Sequence, residues 1–285
     1  MLGMNKLPRQ KRVEIISQLC EGMSLRAVTR TTGVSINTVT ALLVTAGKAC
    51  TDYQERHLRR LSCKRVQVDE IWAFNYCKQR SVATAKDAPE QAGDILTWTA
   101  IDADTKLIVS WLVGSRDAEA ARLFMDDVAS RLANRVQLTS DGHSTYLMAV
   151  WDAFGREIDY AQLIKQYGAS PEPAGRYSPA QCIGAEKRRR IGTPDEDHIS
   201  TSFVERQNLT MRVHMRRFTR LTNAFSKKAE NHAYAVAMHF MYYNFCRIHT
   251  TLRMTPAMRA NVTQNLWDVV DLVRMIEEWE ASQLS

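Results

Sequence analysis

The sequence predicts an α/β fold in which a mixed sheet is flanked by helices and preceded by a small all-α unit. Three observations carry this expectation. The first fifty residues form short amphipathic segments separated by capping signals, residues 64–164 hold strand-length runs rich in β-branched and aromatic residues, and helical periodicity returns after residue 199. A chain of 285 residues with 45% hydrophobic content can bury a core large enough for one main domain and an appendage. No run approaches the roughly 18 apolar residues of a membrane span, so a cytoplasmic protein without a membrane partner is expected. The opening "MLGMNKLPRQKR" also lacks the apolar stretch of a secretory signal. The six cysteines show no C-x-x-C spacing, which argues against a zinc ribbon or a disulfide framework and reads as reduced, mostly buried thiols. A net charge of +7 favours a polyanionic partner.

The elements follow in order. "PRQKRVEIISQLCEGMSLRAVTRTTGVSINTVTALLVTAG" reads as three short helices, with Ser24 capping the second, Gly33 turning the chain and Ser35 capping the third. This is a helix-turn-helix pattern, in which the third helix presents Asn37, Thr38 and Thr40 to base edges in a DNA groove; the alternative is a plain three-helix bundle. A polar bridge spans residues 51–63. "RVQVDEIWAFNYC" then alternates as a strand, and "DILTWTAID" with "KLIVSWLVG" forms a hairpin about Ala103, Asp104 and Thr105. "DAEAARLFMDDVASRLA" is helical, "VQLTSDG" is a short buried strand, and "REIDYAQLIK" is a further strand. The stretch 166–197 reads as a long irregular loop. Helices are expected from Ile199 to about Leu221, from Ser226 to about Cys246, and from about Leu266 to Trp279.

Three strands, a helix, a strand and later helices is the element order of an RNase H-like domain. Such a fold sets the first and fourth strands side by side, which brings together Asp69 in the first strand and Asp141 just past the fourth, with Glu205 near the start of a late helix. Three carboxylates in one cleft repel unless a cation joins them, and a pair of Mg²⁺ ions, with Mn²⁺ able to substitute, suits oxygen ligands and phosphoryl chemistry. Glu205, Asn208, Arg212 and Arg216 share a helical face, so that an acid for metal would stand beside arginines for phosphates; the plainer alternative is a solvated charged helix. Lys187, Arg188, Arg189 and Arg190 are expected to grip DNA backbone from the loop. His143 is placed to contact metal-bound water or DNA, with local packing the alternative. Glu70 should point to the sheet face opposite Asp69 and serve structure, Asp102 and Asp104 should serve the hairpin turn, and Phe240, Tyr242, Tyr243 and Phe245 should be core.

"VDEIWAF", "SDGHSTY", "SFVERQNLTMRVHMRRFTRLTNAFSKK" and "HFMYYNFCRIHTTLRMTPA", taken together, resemble the DDE transposases of compact bacterial insertion sequences, the kind typified by insertion sequence one. The resemblance covers roughly residues 64–260. It implies an RNase H-like catalytic domain, Mg²⁺ dependence, and DNA cleavage and strand transfer at the inverted-repeat ends of an element. The partner it implies is double-stranded DNA, both terminal repeats and target; joining two ends to one target needs two active sites in fixed relation, so a homodimer is expected on that DNA, and an association with the nucleoid is expected too. Carried over by position, the triad is Asp69, Asp141 and Glu205, with Arg212 where relatives often have a basic residue. Many relatives begin with a cysteine-rich zinc module; this chain has no such spacing, which places end recognition on residues 8–48. The implied organisation is a helix-turn-helix unit at 1–50, a linker at 51–63, a catalytic domain at 64–250 and a helical extension at 251–285. The alternatives are a non-enzymatic DNA-binding regulator and a nuclease of the same fold without strand transfer.

Overall fold

The computed structural model describes residues 6–168, 182–219 and 223–284. Three helices open the chain: α1 (Arg9–Cys20), α2 (Leu25–Thr32) and α3 (Ile36–His57). Their boundaries follow local chemistry. Ser24 Oγ accepts the Ala27 amide at 3.2 Å, Ser35 Oγ accepts that of Thr38 at 3.2 Å, and Gly33 ends α2 with a left-handed φ of 71° that a residue with Cβ rarely adopts. α3 runs further than its apolar pattern suggests, and residues 51–57, read from the sequence as part of a polar bridge, are its last two turns.

The sheet comprises β1 (Arg65–Asn75), β2 (Gly93–Asp102), β3 (Ile108–Gly114), β4 (Gln137–Asp141), β5 (Asp159–Tyr167) and β6 (Cys182–Ile191) in the order β3-β2-β1-β4-β5-β6. β1, β2 and β3 form an antiparallel meander, whose hairpin turn is held by Asp102 accepting the Asp104 amide at 3.1 Å and the Thr105 hydroxyl at 2.5 Å. β4 lies parallel to both β1 and β5, and β6 returns antiparallel to β5. This is the RNase H-like mixed sheet the sequence predicts, with one strand more. The extra strand corrects an expectation: Lys187, Arg188, Arg189 and Arg190 sit on β6, at the sheet edge, rather than in a loop. The remainder of that expected loop, residues 169–181, lies outside the described residues.

Helices cover both faces. α4 (Ala118–Arg131) and α5 (Thr145–Phe154) lie on one, where buried Trp98 packs against Phe124 and Tyr146. α6 (Ser202–His214) and α7 (Ala229–Met241) lie on the other, where Trp111 packs against Phe240 and Asn244 bonds the backbone of Ile108 through both its amide oxygen and its nitrogen. α7 runs into a π-helical turn, Tyr242–Cys246, that buries Tyr243 and Phe245 with Phe240, as expected of core aromatics, whereas Tyr242 is only partly buried and donates its hydroxyl to Glu21 at 2.7 Å. α6 is shorter than the sequence suggests: it stops at His214, and Arg216 falls on a 3-10 turn, Arg216–Phe218. Residues 220–222, at the expected end of that helix, lie outside the described residues.

After the short α8 (Pro256–Arg259), α9 (Val269–Ser282) begins with a reciprocal capping box of Asp268 and Asp271 and folds back onto α1 and α3. Arg12, nearly buried, reaches Glu280 at 2.8 Å across that contact. α3 packs along α7 so closely that a Cβ on Gly47 would stand 2.2 Å from the Cβ of Tyr234. The first three helices therefore share one hydrophobic core with the sheet. Cys20, Cys50 and Cys63 are buried, and none of the six cysteines is paired. No helix among the described residues is long and apolar enough to cross a membrane.

Candidate active site

Backbone pairing creates the site. β1 and β4 are hydrogen-bonded only from Arg65 to Gln67 against Gln137 to Thr139, and β4 ends at Asp141. β1 continues past that point toward Asn75, paired with β2 but no longer with β4, so the sheet opens beside Asp69 and Glu70. Carboxylate oxygens of Asp69, Glu70 and Asp141 lie within 4.8 Å of one another in this opening.

Each acid is held separately. Asp69 accepts a 2.8 Å hydrogen bond from Asn208 Nδ2 on α6. Glu70 accepts one of 2.9 Å from the hydroxyl of buried Tyr146 on α5, with Arg116 Nη2 at 3.4 Å. Asp141 Oδ1 accepts the backbone N–H of His143 at 3.0 Å, and Gln162 Nε2 bonds the carbonyls of Asp141 and His143, both at 3.1 Å. Burial, followed by the charges of Glu70 and Asp141, pushes Asp69 up to about 7. Burial and the charge of Asp141 also raise Glu70, against the opposing Tyr146 hydrogen bond.

Glu70 corrects the sequence reading in an instructive way. Strand alternation does separate it from Asp69, since one carboxylate meets α6 and the other α5. Both nonetheless reach Asp141, because no strand lies between them and the end of β4. No sequence pattern marks where two paired strands part.

Glu205 stands beside this cluster rather than in it. The helix that carries it is anchored from β1: Gln67 Oε1 accepts the amides of Phe203 at 2.8 Å and Val204 at 3.2 Å, replacing the cap that the N-cap residue Thr201 does not supply. The Thr201 hydroxyl bonds Glu205 Oε1 instead, and Lys165 Nζ of β5 pairs with Glu205 Oε2 at 2.5 Å. Glu205 is close enough for its charge to raise Asp69 further. Lys165 gives no signal in the sequence, being one lysine in a strand.

The other sequence candidates divide. Asn208 joins the site through Asp69, and Arg212 is exposed one turn further along α6. Arg216 leaves their face because the α-helix has ended. The His143 ring is tied to Thr145 Oγ1 at 2.5 Å, so its backbone rather than its imidazole bonds Asp141. On β6, Arg190 bonds Gln162 Oε1 at 2.9 Å and so buttresses the Asp141 loop, Arg188 pairs with Glu186, and Arg189 with Glu196.

Asn37 and Thr38 are exposed at the start of α3, the latter bonded to Ser35; the Thr40 hydroxyl returns to its own helix at Ile36. Asn37 and Thr40 line a cleft of about 1070 Å³ with Arg26, Arg30, Arg216 and Lys227, and no Asp or Glu among the described residues lines it. The helical unit and the segment after α6 thus form opposing walls of one basic cleft.

No family model matches the chain, and no curated protein matches it. Among solved structures, all of the chain aligns with 75% of a chain in a piggyBac transposase synaptic complex with hairpin DNA, at 8% identity and a TM-score of 0.46. In a pre-cleavage Mos1 transpososome, 56% of this chain aligns with 61% of that one, at 15% identity and a TM-score of 0.24. The corresponding figures for a Mos1 mariner paired end complex with Mn are 54%, 59%, 15% and 0.23.

Proposed function

We propose that the protein is a DDE-type transposase of a bacterial insertion sequence, which cuts DNA at the element's inverted-repeat ends and joins the freed 3′-hydroxyls to a target. The observation that carries this reading is the meeting of Asp69 and Asp141 at adjacent strands of an RNase H-like sheet, with Glu205 on a helix anchored to the first of those strands. Divalent metal fits the residues present. Asp69, Glu70 and Asp141 are crowded together with Glu205 beside them, Asp69 is driven toward its protonated form, and buried Glu70 Oε1 makes no hydrogen bond, only the 3.4 Å ion pair with Arg116. Asp69, Asp141 and Glu205 would hold Mg²⁺ or Mn²⁺, which supplies an activated water or 3′-hydroxyl and charge stabilisation at the phosphorus.

The chain's own residues position the rest. Asn208 fixes the Asp69 carboxylate, Tyr146 and Arg116 hold Glu70 against its neighbours' charge, and the Gln162 amide sets the backbone at Asp141 and His143. Arg212, and Lys187 to Arg190 on the β6 edge, would grip phosphates near the cut. Asn37, Thr38 and Thr40 would read the element end, while Arg216, on the opposite wall of the cleft, would hold its backbone. Joining two ends to one target needs two sites in fixed relation, so the DNA-bound form is a homodimer.

The test uses a duplex that carries the element's terminal repeat, a supercoiled target plasmid and Mg²⁺. Cleavage at the repeat tip followed by covalent 3′-end joining is expected, with joining lost in Asp141→Asn. Cleavage without joining would make the protein a nuclease, and binding without cleavage a regulator; either result rejects the proposal.

A further inference from the structure

Lys165 lies where the sheet opens. Asp141, the last residue of β4, pairs in register with Leu163 of β5, so Lys165 stands two residues beyond that pairing, past the end of β4. Its Nζ lies 2.5 Å from Glu205 Oε2, while Thr201 donates to the other Glu205 oxygen. Both oxygens of the third carboxylate are therefore engaged, and Glu205 lies outside the set formed by Asp69, Glu70 and Asp141. The pair is only partly open to water, with 29% of the Lys165 side chain and 39% of the Glu205 side chain exposed. Burial works against the ammonium's charge, and the hydrogen bond and charge of Glu205, with a smaller contribution from Asp69, outweigh it and raise its pKa. Lys165 is the only cation within ion-pair distance of Glu205 among the described residues; Arg116 serves Glu70.

An ammonium and a divalent ion are drawn to the same carboxylate oxygen by the same attraction, and the positive charge of each weakens the hold of the other. We propose that Lys165 is the resident cation of the third carboxylate, competing with divalent metal for Glu205 and setting how tightly the site takes metal before DNA arrives. The inference rests on the metal reading of the carboxylate cluster given above. It follows that metal entry at Glu205 favours release of the ammonium. The displaced ammonium is then a free cation at the cleft where the proposed phosphodiester substrate lies. Removing Lys165 leaves the site with one more uncompensated negative charge and frees a ligand.

The experiment is a calorimetric titration of Mn²⁺ into metal-stripped, full-length protein without DNA. Lys165→Met is expected to tighten binding about tenfold, the scale of one close charge in a partly solvated site. Lys165→Gln should tighten it similarly, Lys165→Arg should match wild type, and circular dichroism establishes that each variant is folded. In a Glu205→Gln background, Lys165→Met should give no gain. Equal or weaker binding by Lys165→Met and Lys165→Gln, or a gain that survives Glu205→Gln, overturns the inference. Asp69→Asn separates the two claims. If it binds Mn²⁺ as wild type does, the metal reading fails and this inference with it; if it abolishes binding while Lys165→Met changes nothing, only the role of Lys165 fails.

Discussion

Gln67 sits near the start of β1, far in sequence from α6, yet its side chain does for that helix what the local sequence does not. The first turn of an α-helix leaves backbone donors without partners, and here two of them are met by one glutamine oxygen on the strand that also carries Asp69. The bond fixes α6 against β1, and with it Asn208 and Glu205. Replacing Gln67 with Leu removes a buried acceptor and is expected to cost about 1–3 kcal/mol of stability in urea denaturation. Strand transfer should fall by more than the loss of folded protein explains; an unchanged activity per folded molecule would show that α6 needs no anchor. At this scale the sequence is partly legible. Asp69 and Asp141 stand out because strand patterning places one within the first strand and the other at the end of the fourth, strands that lie side by side. Glu70, Gln67 and Lys165 do not, because their roles depend on where β4 stops and on contacts between residues far apart in sequence.

Among the elements, α3 and β6 show why patterning succeeds in one place and fails in another. The start of α3 is readable from Ser35 and its apolar stripe, but beyond Cys50 only Gln54 is buried, so the helix continues as a polar sequence indistinguishable from a linker. β6 has most of its residues exposed, and an edge strand that buries neither face records no alternation. The meander β1 to β3, mostly buried and most completely so in β2, is legible almost to the residue. The docking of α3 on α7 is open to a direct test at Gly47. In an isolated helix, Gly→Ala stabilises by about 1 kcal/mol. Here the added methyl meets Tyr234, so Gly47→Ala is expected to destabilise instead, by about 1–3 kcal/mol in the same denaturation experiment. A stabilised Gly47→Ala protein would mean that the two helices do not approach so closely.

For the whole molecule, the shared core alters what the sequence suggests about organisation. α1 and α3 are fastened to α9 and α7, so the helices proposed to read DNA and the sheet that carries the acids are parts of one packed body. The basic cleft between α3 and the segment after α6 follows from that packing, and its walls come from stretches of chain about 180 residues apart. In the proposed mechanism the third carboxylate acts with Asp69 and Asp141 on DNA. This is tested most directly by the rate of 3′-end joining in Mg²⁺ for Glu205→Gln beside Glu196→Gln, an exposed acid in the 3-10 turn after β6 that pairs with Arg189. Glu205→Gln keeps the side chain's size and loses its charge. It should bind element-end DNA as wild type does and join it at least about a thousandfold more slowly, a barrier increase of about 4 kcal/mol, while Glu196→Gln joins at the wild-type rate. Near-normal joining by Glu205→Gln would contradict this and leave Glu205 only as the partner of Lys165 and Thr201.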